Sequence, residues 1–419
     1  MQNESVVSVL EKQLFAQEAS FEGNPKWEIH TKREKALYNR PSDIRSPYER
    51  DYTRILHCLA YRRLKHKTQV FYNIDNDHIC TRMEHVQHVE SVSCTIAKFL
   101  GLNTDLTRAI AMGHDLGHAP FGHQGENELT ALRKENDLDK FWHERNSLRV
   151  IDKLELLENS SREFDNLCLT YAVRDGIISH CGEVDQNGIR PRCEAIDLDT
   201  FNNPGQYQPY TWEGCVVKIS DKIAYLGRDI EDAIRLHFIG FPQLHKLAKI
   251  SNKYGESTIN TTVIIHNFIM SICENSSIDN GIRLSDKYNE MLNEIKRFNY
   301  ENIYKNERFL VYNEYVNSVI RAIYKALIGS YKGADTLGEL AKLGKVYPVL
   351  VADFTDFLCK YVELELLGSK AKSYKRRYTN DKIYGTLETK QIYAQAIIDY
   401  ISGMTDRYAI EIYNELLKY

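Results

Sequence analysis

His114-Asp115-Leu116-Gly117-His118-Ala119-Pro120-Phe121-Gly122-His123-Gln124-Gly125-Glu126 sets three imidazoles and two carboxylates into thirteen consecutive residues. A histidine beside an aspartate offers a divalent metal one nitrogen and one oxygen donor from adjacent side chains. Crowding titratable groups in this way is costly unless they bind a cation or pair with one another. A lone His-Asp pair is common and usually marks a surface loop, so its flanks decide the reading.

Upstream, Leu106, Ala109, Ile110 and Gly113 keep helical spacing behind Asn103-Thr104, a capping position. His114 follows Ile110 by four residues and therefore lies on the inward face near that helix's end. Further upstream, Val89, Val92, Ile96, Phe99 and Leu100 predict an amphipathic helix, and His85, four residues before Val89, shares its buried stripe. Gly117, Pro120 and Gly122 break the helical pattern and predict a loop lined by histidines.

Downstream, a helix is predicted over about Val216 to Arg235, with Asp221, Tyr225, Asp229 and Asp232 on one face. Stacked like charges repel unless a cation or hydrogen-bonding ligand faces them; the alternative is a solvated acidic stripe. Val217 and Ala224 lie close to the stripe and argue for a partly buried face. Val184 to Pro209, rich in Asp, Asn, Gly and Pro, reads as an irregular loop or lid. Long helical patterns fill the chain from Thr258 onward. Ser369 to Arg377 is a basic run, read first as a solvated loop and second as a contact for effector or nucleic-acid phosphates.

The 419 residues are 43% hydrophobic and 27% charged, which fits a soluble globular protein. With 54 basic and 58 acidic residues the net charge is −4, so no global basic field draws the chain to a polyanion. Nine scattered cysteines without a CxxC pair, behind the polar start Met1 to Ser5, read as free thiols in a reducing cytoplasm. His180, Cys181 and Cys193 are too loosely spaced to make zinc the first reading. No run of eighteen apolar residues predicts a membrane span.

Several stretches together carry a family resemblance: Arg45 to Asp51, Tyr61 to Phe71, Thr81 to His85, His114 to Glu126, Ser220 to Tyr225, Arg228 to Asp232 and Asp399 to Ala409. They span roughly residues 40 to 410. The chain resembles the HD phosphohydrolases, and more closely the deoxyguanosine triphosphate triphosphohydrolase group of dNTP hydrolases. The resemblance implies an all-α HD-domain fold with an extended helical C-terminal region. It divides the chain into an N-terminal extension (1–40), an HD catalytic core (41–240) and a helical C-terminal region (241–419).

It also implies one divalent metal per site, held by His85, His114, Asp115 and Asp221. Two imidazoles and two carboxylates leave a +2 ion formally neutral with two octahedral positions open, and do not choose among manganese, magnesium, iron and zinc. The implied reaction converts a dNTP to deoxynucleoside and inorganic triphosphate. Its leaving 5′-alkoxide needs a proton donor, assigned first to His118, with Glu126 orienting an imidazole and His123 and His143 also at matching catalytic positions. Arg82 and Lys222 match phosphate-binding positions. Gln69 and Asp229 match residues near the 3′-hydroxyl, Tyr225 the ring on the deoxyribose, and Val70 an aliphatic group crowding the 2′ position. Relatives carry a further arginine and tyrosine on a later helix; Tyr254 is the candidate tyrosine here, and no arginine is assigned.

The expected protein is a cytoplasmic homo-oligomer that takes a dNTP substrate, with room for an allosteric dNTP. Nucleic acid is only a secondary partner, through the basic run, and no membrane is involved. Competing readings are another HD-type nucleotide phosphohydrolase (a 5′-nucleotidase or a cyclic or alarmone nucleotide hydrolase) and a non-catalytic nucleotide sensor.

Overall fold

The computed structural model describes residues 14–37, 43–72, 76, 78–181 and 187–418. The polar start Met1 to Ser5, much of the 1–40 extension and positions 184–186 of the expected loop lie outside the described residues. The protein is all-α apart from one two-stranded antiparallel sheet among the described residues, Leu156–Glu158 against Phe164–Asn166 with Leu157 opposite Asp165. It comprises two compact units that interleave along the chain: segments 1–56, 74–115 and 169–309 form one, and segments 57–73, 116–168 and 310–419 the other.

The first unit is built around three packed helices, Arg82–Leu100, Thr104–Gly113 and Trp212–Arg235, together with Tyr171–Ser179. Their ends follow local chemistry. Thr81 and Glu84 form a reciprocal capping box, and Gly101, at φ 78°, closes the same helix in the left-handed region. Asn103 caps the second helix, and the Thr211 hydroxyl accepts Gly214 N–H to cap the third. Val86, Val89, Ile96, Ile110 and Ile223 are fully buried, each contributing about 1.5–3 kcal/mol of apolar transfer. A Cβ on Gly113 would stand 2.4 Å from the Ile177 side chain, so close helix packing requires glycine there. Buried Glu213 accepts the backbone N–H groups of Ser20 (2.9 Å) and Asn103 (3.0 Å), tying the N-terminal segment and a helix cap to the start of the long helix.

In the second unit, helices Phe309–Ile328, Pro348–Cys359 and Lys390–Ser402 bury Val316, Ile320, Ile323, Phe354, Leu358, Ile397 and Ile401 in one core with Phe121 and Leu129. The basic run departs from the loop expectation: Ala371–Arg377 is a short helix. Its Ala, Lys and Arg residues are good helix formers, and the Arg377 guanidinium packs over the Phe164 ring at 5.2 Å. Residues 187–209 are irregular apart from the single turn Leu198–Thr200. Of the nine cysteines, Cys193 alone is exposed. Among the described residues, no helix is long and apolar enough to cross a membrane.

Candidate functional site

The helices of the first unit bring His85, His114, Asp115 and Asp221 together. His85 Nε2 lies 3.0 Å from Asp221 Oδ1 and 4.0 Å from Asp115 Oδ2. His114 Nε2 lies 3.6 Å from Asp115 Oδ1 and 3.8 Å from Asp221 Oδ1. His114 Nδ1 is 2.7 Å from the Ala111 carbonyl, which can only accept, so Nδ1 carries a proton and Nε2 is the ring atom that faces the carboxylates. Burial opposes ionisation of both His85 and Asp221, yet their mutual hydrogen bond and charges win: His85 is raised above the usual histidine range and Asp221 is held well below the usual carboxylate range. Two nitrogens and two oxygens converging in a buried, mutually dependent set fit a divalent metal.

The surroundings of this cluster supply charge and shape. Buried Arg82 donates from Nη1 to Asp115 Oδ2 at 2.8 Å, so its guanidinium braces a candidate ligand. Lys222 is buried beside Asp221, and Tyr225 is half-buried one turn further along the same helix. Asp229, two turns along, is buried and accepts a 2.5 Å hydrogen bond from Tyr304 Oη. Burial pushes its carboxyl up to about 7 against the opposing pull of that bond. Asp232, also buried, accepts Cys80 N–H at 3.0 Å, so the acidic stripe is not a solvated face.

The second unit gathers a different group. His118 Nδ1 lies 2.6 Å from Glu126 Oε1, and His143 Nδ1 approaches the same oxygen at 3.4 Å. The two rings stack with centroids 3.8 Å apart and planes 16° from parallel. Burial would raise the Glu126 carboxyl, but the charges of His143 and His118 hold it well below its ordinary value. Stacked imidazoles cannot both aim in-plane lone pairs at one ion, so this trio suits proton handling better than metal binding. His123 stands apart: it is exposed, with its ring centroid 6.1 Å from that of His118.

Tight backbone packing shapes the loop. A Cβ on Gly117 would fall 2.0 Å from Ser147 N, and one on Gly125 would fall 1.9 Å from the Pro120 carbonyl. Glycine is therefore obligatory at both positions. Gln69 and Val70 lie half-buried in the strap before Tyr72, with Gln69 Oε1 buried and without a hydrogen-bond partner among the described residues.

Two neighbours are not assigned to the site by sequence. His180 sets its ring edge-on to His114 at 4.9 Å, with its own Nδ1 2.6 Å from the Ile177 carbonyl, repeating the His114 arrangement. The other is Tyr304, at the end of a short π-helix after the Asp286–Asn299 helix, which reaches Asp229; Tyr254, the candidate tyrosine of the later helix, follows the Phe241–Lys253 helix. His180 is at least visible as a histidine, whereas no local pattern marks Tyr304.

Residues 82–226 match the HD domain family and residues 377–415 the phosphohydrolase-associated domain. A deoxyguanosinetriphosphate triphosphohydrolase-like protein of Caldanaerobacter subterraneus subsp. tengcongensis is 32% identical over 386 residues, covering 92% of this chain and 88% of the relative. Proteins of the same name from Desulfatibacillum aliphaticivorans (32% over 381 residues; 90% and 89% covered) and Thiobacillus denitrificans (31% over 407; 88% and 90%) are similar. With identity at this level across nearly the whole length, the chain belongs to the HD-domain family of deoxyguanosinetriphosphate triphosphohydrolase-like proteins.

Proposed function

We propose that this protein is a metal-dependent dNTP triphosphohydrolase, releasing a deoxynucleoside and inorganic triphosphate. The observation that carries the reading is the convergence of His85, His114, Asp115 and Asp221 on one helix layer, with Lys222, Tyr225 and Asp229 continuing along the same helix as Asp221. Those four residues would hold the divalent cation, manganese or magnesium first, with iron and zinc as alternatives. When bound, such a cation polarises a phosphate oxygen and lowers the pKa of water.

The chain's own groups supply the rest. Lys222 offers a compact positive charge to phosphate, and Arg82 offers its guanidinium, already oriented by Asp115. Asp229, its carboxyl pushed up to about 7 by burial and hydrogen-bonded to Tyr304, is suited to hold a sugar hydroxyl, as is the Gln69 amide, while Tyr225 packs on the deoxyribose. Val70 crowds the 2′ position against a ribose. His118 donates the proton to the leaving 5′-oxygen, and Glu126, kept anionic, fixes the ring and stabilises its charged form. His143 shares that carboxylate and tunes the pair, and His123 has an auxiliary role from the loop's exposed side. The 41–240 core and 241–419 region, homo-oligomeric assembly in the cytoplasm and a regulatory dNTP complete the proposal.

The test incubates the purified protein with each dNTP and NTP, singly and mixed, with Mn²⁺ or Mg²⁺, and separates the products by ion exchange. dGTP is the first substrate to try, from the name the relatives carry. Deoxynucleoside with intact triphosphate supports the reading. Monophosphate, pyrophosphate or orthophosphate moves the protein to another HD hydrolase class, and metal binding without turnover in any mixture makes it a nucleotide sensor.

A further inference from the structure

The Asp399 to Ala409 motif is a stretch of the family signature to which the proposed mechanism gives no task, and in the second unit its carboxylates and carbonyls hold the Lys67–Val70 strap and the loop at Phe121. Buried Asp406 accepts Phe121 N–H through Oδ1 at 2.8 Å, and accepts both the N–H (3.1 Å) and the hydroxyl (2.8 Å) of Thr68 through Oδ2. Phe121 is at φ 64°, a left-handed conformation that is unfavourable for a non-glycine residue and needs holding. The Lys67 ammonium, also buried, donates to the carbonyls of His118 and Ser402. Asp399 takes a forked ion pair from Arg149, at the far end of the helix that begins at His143, with further hydrogen bonds from Tyr384 and Gln395.

We propose that Asp406 is a positioning residue that ties the Lys67–Val70 strap to the His118–Phe121 loop, so that sugar discrimination and proton donation are set by one shared carboxylate. The proposal rests on the dNTP hydrolase reading for the roles of Val70 and His118, and adds the coupling between them. The chemistry of the tie is strict. Each carboxylate oxygen faces N–H or O–H donors, so in Asp406→Asn one side meets an NH₂ whichever way the amide turns, and one branch has to open.

The experiment compares wild type, Asp406→Asn, Thr68→Val and Thr68→Ser by hydrogen exchange over peptides covering 66–70 and 119–123, by steady-state kinetics and by the dNTP/NTP ratio. In Asp406→Asn, kcat falls on the order of 30-fold and the dNTP/NTP ratio falls about fivefold, with metal content and circular dichroism unchanged. In Thr68→Val, which deletes only a hydroxyl donor, exchange rises at 119–123 as well as at 66–70, while Thr68→Ser behaves as wild type. The proposal is overturned if Asp406→Asn keeps kcat within about twofold with an unchanged ratio, or if Thr68→Val loosens 66–70 alone. Should Asp406→Asn not fold, the exchange pattern of the two Thr68 variants decides between these outcomes. Should wild type turn over no nucleotide, the functional reading fails by itself, and exchange in Thr68→Val still decides the tie.

Discussion

The two titratable clusters use similar residues to opposite ends. In the first unit, His85, His114, Asp115 and Asp221 ride on capped, buried helices with donor atoms of both kinds facing inward. Ala111 fixes His114 Nδ1 as a protonated atom and leaves Nε2 facing the carboxylates, in a set able to hold a divalent cation. In the second unit, one carboxylate oxygen faces the Nδ1 atoms of two stacked imidazoles, 2.6 Å from His118 and 3.4 Å from His143. The first arrangement turns nitrogen and oxygen donors toward one another, and the second sets two imidazoles on a single carboxylate oxygen. Geometry, more than residue type, separates the two clusters.

The sharpest way to break this contrast is Asp221→Ala. We expect loss of bound metal and a fall in turnover of roughly a thousandfold or more. Full metal content by elemental analysis, with activity retained, would remove Asp221 from the cradle. Glu126→Gln should instead keep the metal and lose on the order of a hundredfold in kcat, since it leaves the imidazoles without their anion. If metal content falls along with kcat, the two clusters are not chemically distinct.

Asp229 provides a pH test. Its folded carboxyl stands near 7 against an ordinary 3.8, so the folded state keeps a proton that the unfolded chain has released. Its contribution therefore favours folding at low pH, declines as pH rises from about 4 to 7, and is flat above. Asp229→Asn cannot ionise, so the melting temperature of the variant relative to wild type should climb across that window, by the equivalent of a few kcal/mol at most. A difference independent of pH would mean that the aspartate is not strained by burial. The smallest effect belongs to Val70→Ala, expected to relax the dNTP/NTP ratio by about three- to tenfold with kcat for dNTP nearly unchanged. An unaltered ratio takes Val70 out of sugar selection.

Legibility in the sequence follows the range of the interactions. The Asn103 cap, the inward placing of His85 and His114, the loop broken at Gly117, Pro120 and Gly122, and the buried acidic stripe from Asp221 all rest on spacings of a few residues, and the helical geometry carries them over directly. The basic run reads as a loop in sequence because charge pattern says little about helix content when the residues are themselves helix formers. Tyr304 escapes such a reading because it reaches Asp229 from a short π-helix far along the chain, and His180 because its neighbour His114 lies on a different helix.

What the sequence alone determined is the residue inventory, the helix boundaries set by caps and glycines, and membership in a family whose motifs are dense enough to be recognised together. What only the tertiary structure decided is which groups share a proton or a carboxylate: Glu126 with His118 and His143, Asp406 with Thr68 and Phe121, Tyr304 with Asp229. The physical reason is that hydrogen bonds act over about 3 Å with strict direction, whereas periodicity tells which face a residue occupies but not which distant residue meets it there.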